Sequence, residues 1–293
     1  MVIQRRSIGS RVFDLGNAAL QCLIVFASIY PFLYVLFASV SNPARLVTYS
    51  GFLYAPLGFT MNAYRLIMRN GNIIMGYKNT FIYVTLGLCV NMVITILGAF
   101  VLSRKDLRLK RVLLWIAMFT MFFGGGLIPT FLVIKDLGMI DTVWSMVLPN
   151  ALSTYNMLVL RTAFITLPPS LEESARLDGA NDLTILLRIL LPLIIPNLAV
   201  IALFYTVGHW NSWFNAMIYL RTRTKFPLQT ILREILILSQ EDFSVQVNRD
   251  EATNINELIK YATIIVATVP ILCVYPFLQK YFIKGVMLGA VKE

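Results

Sequence analysis

The chain has 293 residues, of which 58% are hydrophobic and only 14% charged, and its mean hydropathy is +0.72. Soluble domains carry roughly 45–50% apolar and about 25% charged residues, so this balance excludes an ordinary water-soluble globule, along with disordered, collagen-like and disulfide-stapled classes. The formal net charge of +10, from 25 Lys and Arg against 15 Asp and Glu, suggests nucleic acid only until the positions of the charges are read.

Six apolar stretches contain no Asp, Glu, Lys or Arg: residues 17–39, 79–102, 112–133, 142–160, 193–220 and 261–279. A bilayer core needs roughly 20 apolar residues per helix, so each is a predicted transmembrane helix. The expected fold is all-α and integral to the membrane, with residues 1–293 forming a single transmembrane domain. Arg5, Arg6 and Arg11 precede the first stretch as in a secretory signal. Its apolar run exceeds the roughly 7–15 residues of a signal core, so a retained helix is expected.

Charge asymmetry orients the six spans. The loop at residues 103–111 carries Arg104, Lys105, Arg108, Lys110 and Arg111 against Asp106, whereas the opposite loop at 134–141 has Lys135 as its only base. The first loop and both termini are therefore predicted to be cytoplasmic. On that topology the inner side holds 14 basic and 7 acidic residues and the outer side 11 and 8. The excess charge marks sidedness, and nucleic acid has no support.

Two outer segments are long, residues 42–78 and 221–260, and loops of that length usually carry structure or function. In the second, Ile231, Ile235 and Leu238 recur at helical spacing, which predicts a short helix over 229–238 lying on the membrane or a partner. A solvated connector is the alternative.

Much chemistry is absent. The spans hold no acid or strong base, which argues against a proton-coupled transporter, pump or voltage sensor. There is no GxxxxGK[ST] loop, no GxSxG elbow and no HExxH pair, so an enzyme is not expected. Cys22, Cys89 and Cys273 fall in three different spans, and His209 is the single histidine, so no metal site is expected.

Uncharged polar residues do occur within the spans. Asn91 lies in the second; Asn150, Ser153, Thr154 and Asn156 lie in the fourth, beside Pro149. Gly124, Gly125 and Gly126 before Pro129 should loosen the outer half of the third. Broken backbone at membrane depth is tolerated only inside protein or facing a water-filled cavity, so the set suggests a polar route between helices. Each residue taken singly could equally hold helices together. At residues 208–215, His209, Trp210, Asn211, Trp213 and Asn215 suggest indoles stacking on sugar rings beside hydrogen-bonding amides. Trp at a membrane interface is the plainer reading.

Between the fourth and fifth spans, Pro168-Pro169 stops an incoming helix and Ser170 reads as an N-cap, with Glu173 completing a capping box. Gly179 supplies a stop. Asn181 or Asp182 can cap a second short helix to Leu191, and Pro192 and Pro196 open the fifth span. Glu173-Ser174-Ala175-Arg176-Leu177-Asp178-Gly179-Ala180, then Ile189-Leu190-Leu191-Pro192, resembles the EAA loop of permease subunits of bacterial binding-protein-dependent ATP-binding-cassette importers. The one departure is Ser174 where the usual pattern has Ala. Lys78-Asn79-Thr80 and the span count fit the carbohydrate branch. Residues 119–129, 208–215 and 260–293 are similar to permeases for complex oligosaccharides, alginate importers included.

The resemblance implies a type I importer permease in the bacterial inner membrane, moving an oligosaccharide or polysaccharide by alternating access. It implies a second permease subunit, two ATPase subunits that bind ATP and Mg, and an extracytoplasmic solute-binding protein. The EAA loop, residues 165–192, would dock on an ATPase subunit through Glu173, Ser174, Ala175, Asp178, Gly179 and Ala180. Residues 280–293 would lie near that interface, and residues 221–260 would reach the binding protein. The rivals are a stand-alone facilitator or channel, and a membrane-embedded enzyme or scaffold.

Overall fold

The structure, a computed structural model, describes residues 8–69, 71–241, 258–273 and 276. In chain order the helices are α1 (Ile8–Ser39), α2 (Pro43–Val47), α3 (Asn62–Arg69), α4 (Gly71–Ser103), α5 (Lys110–Phe122), α6 (Leu127–Asp136), α7 (Trp144–Val147), α8 (Thr154–Ile165), α9 (Pro169–Leu177), α10 (Asp182–Thr184), α11 (Leu191–Leu193), α12 (Ile195–Trp210), α13 (Trp213–Tyr219), α14 (Leu228–Glu241) and α15 (Leu258–Cys273). No strand occurs among the described residues.

Two helices there are each long and apolar enough to cross a membrane, within α1 and along α4. Counting each of two sharply bent helix pairs as one span raises this to four. α15 is a shorter apolar helix, and residues 274, 275 and 277–279 of the sixth expected span lie outside the described residues. Large apolar side chains are openly exposed, such as Phe26 at 59%, Phe119 at 60% and Ile128 at 72%. Apolar surface on that scale is untenable in water and is the expected face toward lipid or a partner helix.

The described residues form two compact units. In the first, the stretch after α1 folds back on that helix: Leu53 donates its amide to the Tyr30 hydroxyl, Leu57 to the Ser41 hydroxyl, and Ser39 meets Tyr64 at 2.7 Å. The edge of Tyr261 packs against Tyr34.

In the second unit α4 is the central helix, packed along α8 and α12. Its core holds Ala99, Leu160, Ile185, Leu190 and Ile201, all nearly inaccessible. Here three expected spans prove discontinuous. The third is two helices at 113°, broken between Phe122 and Leu127, where Gly126 adopts φ +86°. The triple glycine turns the chain there rather than merely loosening it, because a positive φ costs glycine almost nothing. The fourth is α7, a 3₁₀ turn over Leu148–Asn150 and α8. The fifth enters through an 87° bend between Asp182–Leu193 and α12, then breaks again between α12 and α13.

The cap on α9 also differs. Ser170 and Glu173 form no capping box; Pro168 is the N-cap and accepts no side-chain bond. Pro169 occupies the first helical position, where its missing N–H removes an otherwise orphaned donor, and the helix therefore starts two residues early. At the other end Gly179, at φ +80°, donates its amide to Arg176, while Ala180 donates to Ala175. That is the Schellman stop that glycine favours. Asn181 then caps the next turn by accepting from the Thr184 amide.

Candidate functional site

The breaks in the fourth and fifth spans leave backbone groups without helical partners, and the neighbouring side chains meet them. Asn91, fully buried on α4, donates through Nδ2 to the carbonyls of Asn150 (2.6 Å) and Ala151 (3.0 Å). Its Oδ1 lies 2.7 Å from His209 Nε2. Since the amide nitrogen serves the carbonyls, Oδ1 must accept, which places the imidazole proton on Nε2. Ser153 donates its amide to the Tyr205 hydroxyl, which also shares a 2.7 Å hydrogen bond with Thr95 Oγ1. Gly87 lets α12 come close: a Cβ there would overlap the His209 ring.

This network forms one wall of an open cavity of about 600 Å³. Its polar lining comes from Asn150, Ser153, Asn156, His209, Asn211, Ser212 and Asn215. Its aromatic lining comes from Tyr155, Phe204 and Phe214, exposed at 55%, 46% and 43%. No carboxylate lines it among the described residues.

Of the residues expected on a polar route, six therefore share one cavity and Asn91 lies in the wall behind them. The two indoles do not line it. Trp210 is 4% exposed and packs against Tyr77 and the edge of Phe81. Trp213 lies under the Arg233 guanidinium, 3.5 Å from the ring centre, a cation–π contact. Tyr155, Phe204 and Phe214 were not anticipated. Helical spacing carried a signal for one of them, because Phe204, Gly208, Asn211 and Asn215 recur at intervals of four, three and four.

At the Ser103 end of α4, the first basic loop meets α9. Arg104 pairs with Glu172 and stacks 4.0 Å over Phe100. Arg161 Nε donates to the Leu102 carbonyl at 2.9 Å. Across residues 173–180 Ala175 is buried, whereas Glu173, Ser174, Asp178 and Gly179 are exposed and Ala180 is half-buried. Leu177 is 89% exposed, an extreme value for leucine.

At the far end, Asp141 clasps the chain leaving α13. Its carboxylate accepts from the amides of Arg221 and Thr222, from the Thr222 hydroxyl, and from Lys225 Nζ at 2.7 Å. The Lys225 and Thr222 side chains hold its carboxyl well below the usual carboxylate range. Asn79 Nδ2 donates to the Thr224 and Phe226 carbonyls, Tyr83 to the Lys225 carbonyl, and Thr80 accepts from Leu228, the start of α14.

Residues 94–288 match the family described as the inner membrane component of binding-protein-dependent transport systems, a match that spans the cavity, α9 and the clasp. The chain belongs to that permease family. This permease is 40% identical over 286 residues to the polygalacturonan/rhamnogalacturonan transport system permease protein YtcP of Bacillus subtilis strain 168, covering 97% of this chain and 99% of YtcP. It is 38% identical over 282 residues to the protein LplC of the same organism, covering 96% and 95%. Among solved structures, it matches a chain of a bacterial ABC transporter involved in the import of the acidic polysaccharide alginate, with a TM-score of 0.85 and 33% identity over 94% of this chain and 98% of that one. A chain of a bacterial alginate ABC transporter in complex with an alginate pentasaccharide-bound periplasmic protein shares the fold at a TM-score of 0.55 and 17% identity, covering 92% and 93%. The family is one of transporter membrane subunits, not of enzymes.

Proposed function

We propose that this chain is one of two permease subunits of an ATP-driven importer, and that it passes an oligosaccharide built of uronic acids, alginate or a pectic fragment, across the inner membrane by alternating access. The cavity carries this reading. Three open aromatic rings offer stacking faces to the apolar sides of pyranose rings, and six asparagine and serine side chains surround them to meet sugar hydroxyls. Among the described residues the lining holds no carboxylate to repel an acidic sugar. The names of YtcP and of the alginate importer support an acidic sugar, since both refer to polymers of uronate.

Coupling follows from α9. With residues 103–111 in the cytoplasm, the helix stands at the inner face, presenting Glu173 and Leu177 outward for a groove in an ATPase subunit. Its buried side is tied to the end of α4 through Glu172 and Arg104, so a push on α9 moves the helix that carries Asn91. ATP and Mg are held by the ATPase pair. A binding protein delivers the sugar at the outer end, where the Asp141 clasp fixes the root of the segment at 221–260; residues 242–257 of that segment and the tail at 280–293 lie outside the described residues.

The test is uptake by proteoliposomes holding this chain with its partner permease and ATPase subunits. Labelled oligogalacturonate or oligoalginate should accumulate only with internal ATP and the cognate binding protein. Accumulation without ATP would mark a facilitator instead.

A further inference from the structure

A second cavity, of about 670 Å³, opens beside the start of α5, apart from the sugar route. One end is lined by Arg108, Lys110 and Arg111, the other by Leu107, Leu114, Trp115 and Met118, and among the described residues no acidic side chain lines it. Arg108 and Arg111 are exposed. Lys110 is held in place by donating from Nζ to the carbonyls of Ser103 (3.3 Å) and Arg104 (2.8 Å), which leaves one ammonium hydrogen over. Trp115 is 66% exposed, between the equally open Val112 and Ile116.

We infer that this cavity holds an anionic phospholipid of the inner leaflet, its phosphodiester on Arg108, Lys110 and Arg111 and its acyl chain along Leu114, Trp115 and Met118. The inference rests on the proposed topology, in which residues 103–111 face the cytoplasm. Charge complementarity selects the occupant. Clusters of Lys and Arg immediately cytoplasmic of a membrane helix take anionic headgroups, whereas a protein helix covering the groove would have to supply carboxylates at the rim and an apolar stripe below it. Trp115 stands at the level where indoles favour the headgroup boundary. Burial and the neighbouring charges of Arg161 and Lys105 hold the Lys110 ammonium below the usual lysine range, against the opposing pull of Asp106, so an added anion relieves crowding of positive charge. The site adjoins the Arg104–Glu172 tie, so a lipid there stiffens the joint through which α9 moves α4.

The test uses the assembled importer, stripped in detergent, offered phosphatidylglycerol or phosphatidylcholine, and read by native mass spectrometry. Phosphatidylglycerol should be retained in preference. Arg108→Gln with Arg111→Gln should weaken retention about 25-fold, taking about fivefold per basic residue. Leu114→Trp, which fills the apolar end and leaves the charges intact, should also reduce it. Inorganic phosphate at equal concentration should not displace the lipid. Equal retention of the two lipids, unchanged retention in both variants, or displacement by inorganic phosphate would overturn the inference. ATP-driven uptake by the same preparation reports separately on the importer reading.

Discussion

Asn91 on α4 and His209 on α12 share a 2.7 Å hydrogen bond at a point where Asn91 is wholly buried and His209 is 7% exposed. The pair closes one wall of the cavity, and Asn91 also satisfies the two carbonyls that the break in the fourth span leaves open. Asn91→Leu keeps the volume but strands those carbonyls and the imidazole. The expected loss is about 1–3 kcal/mol of stability, with lowered uptake. Thermal unfolding in detergent checks it, and an unchanged Tm would count against the network.

Gly87 faces the same histidine. Gly87→Ala should destabilise the permease, and adding His209→Ala should restore part of the loss, because the ring that the new Cβ strikes is then gone. A double-mutant cycle on Tm shows the coupling directly. Additive losses would mean that the two residues do not compete for one space.

The Asp141 clasp sets a pH dependence. A carboxyl lowered in the folded state stabilises above its ordinary pKa of about 4, and that stabilisation fades as pH falls from there toward the folded value. The clasp is therefore intact at pH 7 and loosens only in acid. Asp141→Asn tolerates the backbone at φ +59° yet loses the pairing with Lys225. Its Tm should be lower at pH 7 and fall less steeply below about pH 4 than that of the parent. An equally steep acid limb would point to other groups.

Neighbouring glutamates on α9 should behave differently. Glu172→Gln leaves the Arg104 guanidinium, only 14% exposed, without a counter-ion and should cost about 1–3 kcal/mol. Glu173→Ala removes an exposed side chain and should stay within about 0.5 kcal/mol of the parent while lowering ATPase stimulation by the loaded binding protein. Tm and stimulated ATPase rate, measured on both variants, separate the roles.

Aromatic residues divide in the same way. Tyr155→Ala and Phe204→Ala should slow uptake about three- to tenfold with little change in Tm, as loss of a stacking face predicts. Trp210→Ala should instead cost about 3–5 kcal/mol, the penalty of emptying a buried aromatic site.

Local chemistry made several features legible in the sequence. Gly179 stops α9, Asn181 caps the turn after it, and Ile231 and Ile235 announced a helix that runs as α14. The polar residues of the fourth and fifth spans were legible as a group, since amides are too costly in lipid to be scattered without partners. The bends were not. Apolar composition measures how much chain can sit in a membrane and says nothing of its direction, so the 113° turn at Gly126 and the break between α12 and α13 were hidden within runs read as single spans. Ser170 misled because Pro169 can start a helix with no cap at all. Trp210 misled because an indole near a membrane boundary looks the same from sequence whether it faces a sugar or Tyr77.

The central claim is that force from ATP hydrolysis reaches the cavity through α9. It is tested most directly by ATP-driven uptake of labelled oligouronate into proteoliposomes containing the whole importer, comparing the parent with Glu173→Lys. The parent should accumulate sugar only with internal ATP and binding protein, and the variant should insert and assemble normally yet accumulate none. Uptake that persists without ATP, or that Glu173→Lys leaves unchanged, would contradict the account.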